Sequence, residues 1–182
     1  GYLDFLDSQF QPTPIQWFEK IPVWSRLSFH DAPPLGFIVQ SAFFKIFGER
    51  VLVSRLPFAL AGLGSIILLY LIIRKLSDKN TALLAALIMA VLNFQLWASR
   101  TGYLEAVMVF FILLTLYYFL KSFENNWYFL IFGLFLGLAI LSKYTALFLI
   151  PLVFLYILFK DKKIFLNKKF IFGVVIAIIL FS

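Results

Sequence analysis

Residues 127–159 read WYFLIFGLFLGLAILSKYTALFLIPLVFLYILF, 33 nearly continuous apolar residues interrupted near the middle by Ser142-Lys143. One helix of that length would extend roughly 50 Å at about 1.5 Å per residue. The hydrocarbon core of a bilayer is about 30 Å thick. Two short spans hinged at Leu141–Thr145 fit better, and that reading sets the pattern for the chain. On the C-terminal side a basic connector, Lys160 to Lys169, leads to a last span that begins near Phe170. On the N-terminal side three more apolar runs are separated by short polar turns. The expected spans are about 52–73, 81–97, 106–120, 127–141, 144–159 and 170–182. The fold class is therefore all-α, a polytopic transmembrane helix bundle.

The bulk numbers agree. The chain has 182 residues, 63% hydrophobic and 20% aromatic, with mean hydropathy +0.96. A soluble domain is nearer about 45–50% apolar. There is no cysteine, which excludes disulfides, thiolate catalysis and cysteine metal sites within these residues. The net charge of +7 does not point to nucleic acid, because the basic residues fall in connectors between apolar runs, where topology explains them. The chain starts at Gly1 and stops at Ser182 within an apolar run. We read it as an internal piece of a longer polytopic protein, with a further span expected before Gly1.

Residues 1–51 are expected to form an extracytoplasmic loop with interfacial, juxtamembrane helices, and 52–182 the transmembrane part. Pro12, Pro14 and Pro22 break any long helix in the loop, and Trp17 and Trp24 suit the membrane–water interface. The loop closes on Phe29-His30-Asp31-Ala32-Pro33-Pro34-Leu35, which holds the one histidine of the chain. Proline fixes φ and pushes its predecessor out of helix. The double proline thus forms a rigid lead into a short apolar helix, Pro34 to Phe47, too short to span comfortably.

Lysine and arginine set the orientation. One set of connectors carries nine basic residues (Arg74, Lys75, Lys79, Lys121, Lys160, Lys162, Lys163, Lys168, Lys169) against Asp78, Glu124 and Asp161. The other carries seven basic against six acidic residues. The first set should be cytoplasmic, so His30-Asp31, Arg100–Glu105 and Lys143 should share the outer side. The location is then a plasma membrane, multi-pass, with any active site outside. No GxGxxG, P-loop or HExxH pattern is present.

Several residues carry two readings each. Glu105 opens a span, either as a carboxylate favoured by the helix dipole or as an acid lining a polar cavity. His30-Asp31 is a locally bonded loop pair or part of a pocket; a lone histidine is weak grounds for metal, and no metal ligands are assigned. Lys143 is a snorkelling lysine or a cation aimed at phosphate. Arg55 and Arg100 are interfacial anchors or cavity cations. Asp4 reads as an ordinary loop acid.

The pattern His30-x-x-Pro33-Pro34-Leu35, then Phe47-Gly48, then Ser54-Arg55-Leu56-Pro57, resembles the GT-C membrane glycosyltransferases of family 39, the protein-mannosyltransferase and aminoarabinose-transferase type. Ser99-Arg100-Thr101-Gly102-Tyr103-Leu104-Glu105 is similar to that family's loop in which an arginine precedes an acid opening the next span. Gly137-Leu138-Ala139-Ile140-Leu141-Ser142-Lys143-Tyr144 resembles its "GLAxLTK" stretch. The resemblance covers essentially the whole chain. It implies a polyprenyl-phosphate sugar donor, a lipid, glycan or protein acceptor, transfer with inversion outside the cytoplasm, and membrane lipids as surroundings. It admits a divalent cation. It implies an acidic general base in the first outer loop, in relatives an Asp-Glu pair upstream of the double proline, at or just before Gly1; Asp4 is the candidate here. Asp4, Glu105 and Asp31 become catalytic candidates; His30, Arg55, Arg100 and Lys143 become substrate-binding ones. Two other classes stay open: a transporter or flippase of an anionic lipid-linked substrate, and a non-catalytic membrane scaffold.

Overall fold

The computed structural model describes residues 33–181, and the described part is all-helical. Helix α1 (Leu35–Phe47) follows the double proline and stops at Gly48, whose φ of 81° is a conformation that favours glycine. Helix α2 (Val51–Leu76) is the longest element and closes on Arg74 and Lys75, cations that suit a helix C-terminus. Gln40 of α1 donates to the Ser54 carbonyl at 3.0 Å and ties α1 to the start of α2.

Asp78 caps helix α3 (Lys79–Val91) by accepting from the Asn80 and Thr81 N–H groups. Helix α4 (Asn93–Thr101) follows after Leu92, which is extended, and the two helices meet at a 56° bend. The span expected at about 81–97 thus falls on a bent pair of helices. The reading of 99–105 as a loop is corrected: Ser99, Arg100 and Thr101 are the last turn of α4, with the Thr101 hydroxyl donating to the Trp97 carbonyl at 2.7 Å. Gly102, at φ 82°, makes the corner into helix α5 (Leu104–Ser122).

Helix α6 (Tyr128–Ser142) ends at an extended Lys143; a 3-10 helix (Tyr144–Phe148) leads into α7 (Leu149–Lys160). A second 3-10 turn (Lys162–Leu166) joins α7 to α8 (Lys168–Phe181). Helices α2 and α5 are long and apolar enough to cross a membrane, and the bent α3–α4 pair makes a third candidate if counted as one span. Helix α6, at 15 residues, is shorter than a typical spanning helix.

Packing is dense where side chains are small. A Cβ on Gly133 of α6 would collide with the backbone of Gly173 in α8, and one on Gly173 with the Phe129 carbonyl. Gly137 lies against Ala177, so paired small residues four apart face each other, the usual way membrane helices approach closely. Phe132 and Phe170 stack beside this crossing at 6.2 Å. On the other side of α6, Phe119 of α5 packs on Phe132 at 5.3 Å. Helix α2 meets α5 through Phe58 and Ala61 against Ala106 and Val107.

Candidate functional site

The corner at Gly102 fixes where α5 begins. The Tyr103 N–H bonds back to the Ala98 carbonyl at 3.1 Å, ending α4. Phe58 of α2 packs under the corner, and Leu104 packs against Gly36 of α1. Glu105 therefore stands in the first turn of α5 at an end of the bundle shared by α1 and the start of α2.

Its carboxylate is paired with the Lys143 ammonium. Lys143 reaches it because α6 stops at Ser142 and the chain turns extended for one residue. The junction is stitched a second time: the Thr145 hydroxyl donates to the Met108 sulfur at 3.1 Å, one turn along α5 from Glu105. The pair is partly sheltered, with side chains 22% exposed for Glu105 and 34% for Lys143. Residues 38 apart in sequence thus hold opposite charges together at one end of the helices. Such a pair can present a carboxylate to a hydroxyl and an ammonium to an anion from adjacent positions.

Arg55, in the early part of α2, and Arg100, in the last turn of α4, are exposed. Neither joins an ion pair among the described residues. Asp4, His30 and Asp31 lie outside the described residues. No group of three His, Cys, Asp or Glu side chains gathers among the described residues as a metal site.

Sequence reasoning missed a polar seam between α2 and α4. Gln95 is buried and donates to the Gly62 carbonyl at 3.4 Å. One turn on, the Ser99 hydroxyl is buried against Gly62 with no hydrogen-bond partner among the described residues. The available signal was two polar residues four apart in an apolar run, facing a glycine.

The opposite end is basic. Lys75 at the end of α2 pairs with Glu124 in the α5–α6 turn, and that ion pair pulls the Glu124 carboxyl below its ordinary range. Lys160 sits over Phe123 at 5.3 Å and Lys169 over Trp127 at 3.7 Å.

Fold and site together define a polytopic helical membrane protein with charged groups gathered at a helix-end junction. Residues 31–182 match the family described as dolichyl-phosphate-mannose-protein mannosyltransferase, and the chain belongs to that family of membrane glycosyltransferases. It is 34% identical over 96 residues to "Putative mannosyltransferase YkcB" of Bacillus subtilis, covering 53% of this chain and 13% of that protein. It is 31% identical over 142 residues to "Putative mannosyltransferase YycA" of the same organism, covering 76% of this chain and 21% of that protein. An uncharacterized protein of Aquifex aeolicus is 32% identical over 164 residues, 87% of this chain and 33% of its own length. The chain thus spans a third or less of the length of these relatives. No solved structure matches it.

Proposed function

We propose that this chain forms part of a membrane glycosyltransferase that moves a sugar, mannose by the family description, from a polyprenyl-phosphate donor to an acceptor hydroxyl outside the cytoplasm, with inversion. The observation that carries the reading is the Glu105–Lys143 pair. In the transfer, the acceptor oxygen bonds to the anomeric carbon while the bond from that carbon to the lipid phosphate oxygen breaks. The hydroxyl proton passes to a carboxylate, and the electron pair leaves on the phosphate. Lys143 turns from Glu105 to the departing phosphate and stabilises the charge that develops there. Glu105, so released, orients the acceptor or the sugar. Asp4, or an acid upstream of Gly1, takes the proton. Arg55 and Arg100 contact the phosphate, and His30 and Asp31 line the donor pocket. The charge of the far end, nine basic against three acidic residues, supports an outward-facing site.

The test is incubation of the full-length protein with labelled polyprenyl-phosphate mannose and extracytoplasmic acceptors. Label should reach a lipid, glycan or protein hydroxyl. Glu105→Ala, inserted in the membrane at the wild-type level, should lose the transfer; full activity would remove Glu105 from the site.

A further inference from the structure

At the basic end, between the α5–α6 turn and the α7–α8 connector, lies a cavity of about 280 Å³. Its polar lining is Ser122, Asn126, Asp161, Lys163 and Asn167; Phe123, Phe129 and Ile164 supply the apolar part. We infer that this cavity binds the phosphodiester headgroup of an anionic membrane phospholipid. The inference does not rest on glycosyl transfer.

The Ser122 hydroxyl is committed to the Phe119 carbonyl at 2.6 Å, so the donors left to a ligand are Lys163 and the two amides. The Asn167 side-chain oxygen is occupied by the Lys169 N–H at 2.9 Å, which leaves its NH₂ free. No carboxylate pairs with the Lys163 ammonium among the described residues. The acids of this end are already committed. Asp78 caps α3, Glu124 pairs with Lys75, and Asp161 accepts the Lys163 backbone N–H at 3.0 Å. A lysine and free amides lining one cavity suit phosphate oxygens. The Asp161 carboxylate in the lining disfavours a doubly charged monoester more than a singly charged diester.

The surroundings point to a lipid. Trp127, Phe159 and Leu166 are exposed at this same end, among Lys160, Lys162 and Lys168. Aromatic rings mixed with lysines mark the boundary between headgroups and acyl chains. A headgroup in the cavity leaves its chains to run along the apolar helix faces, which a soluble anion could not use.

Full-length protein is placed in nanodiscs of phosphatidylcholine with and without phosphatidylglycerol, and the lipid retained after extraction is counted by native mass spectrometry. Phosphatidylglycerol should be retained over phosphatidylcholine. Lys163→Gln should cut its retention about tenfold, the scale of one charge-assisted hydrogen bond. Lys79→Gln, an exposed lysine of the same end outside the cavity, should leave it unchanged. Equal retention of the two lipids, or an equal fall in both variants, would overturn the site in favour of diffuse charge. Displacement of the lipid by millimolar glycerol phosphate would assign the cavity to a soluble anion and overturn the lipid assignment.

Discussion

Each end of the bundle holds one ion pair among the described residues, and the surroundings of the two pairs differ. Lys75–Glu124 joins two connectors at the basic end, with Glu124 63% exposed and neighbouring lysines resting on aromatic rings. Glu105–Lys143 joins a helix start to a helix break, with neither side chain more than 34% exposed. Water and salt screen the first pair, so it does little beyond tying two turns. The second is partly desolvated, and losing one partner strands the other's charge. The same two residue types thus make a surface tie at one end and a partly sheltered junction at the other. Helix termini alone do not explain this: carboxylates and cations are common there, but a break in α6 aimed at the start of α5 is not.

The largest effect would come from breaking both ends at once. Gly133→Leu drives a side chain into the backbone of Gly173, where nothing can move aside, and α6 and α8 connect the two ends. Folded yield in detergent should fall close to zero, by size-exclusion chromatography. A monodisperse variant with wild-type melting would mean that the crossing is looser than described.

Next comes the contrast between the pairs. Glu105→Ala should lower transfer about 100-fold or more, the scale of a lost catalytic acid–base or charge-stabilising group. Glu124→Ala should leave the rate within about twofold, as expected for an exposed pair. Equal losses would erase the distinction. Stability should separate the pairs more modestly. Lys143→Met should cost about 1–3 kcal/mol by stranding the Glu105 carboxylate. Lys75→Met should move the melting temperature less, and the reverse order would contradict the difference in exposure.

The smallest effect concerns pH. The Thr81 hydroxyl first, then the Thr81 and Asn80 N–H groups, hold the Asp78 carboxyl at about 2 against an ordinary 3.8. A lowered carboxylate pKa stabilises the fold above 3.8, and that contribution is lost as pH falls towards 2. Asp78→Ala should therefore melt earlier near neutral pH, and its gap from wild type should close between pH 4 and pH 2. A gap that persisted at pH 2 would show that the cap acts by other means.

Much of the helical outline was legible in the sequence because apolar runs and polar turns alternate sharply. A lysine inside 33 apolar residues marks a break, and α6 does stop beside Lys143. The bend at Leu92 was not legible: no proline or glycine stands there, and only the backbone torsions reveal it. Ser99-Arg100-Thr101 read as a loop because it is polar, but an exposed last turn can be polar and helical. Counting lysines and arginines put Glu105 and Lys143 on one side without pairing them. Their contact depends on the Gly102 corner and on the extended backbone at Lys143, both set by packing rather than by local pattern. Gln95 and Ser99 escaped notice because two polar residues at a single helical spacing are too few to stand out as a pattern.

These 182 residues hold no cysteine, so thiols can be placed at the junction without a competing one within them. Glu105→Cys combined with Lys143→Cys is treated in membranes with a short bifunctional thiol reagent, beside Glu105→Cys combined with Lys75→Cys. The first pair should cross-link efficiently and the second not at all. Cross-linking only in the Lys75 combination would place the start of α5 at the wrong end of the bundle and contradict the account.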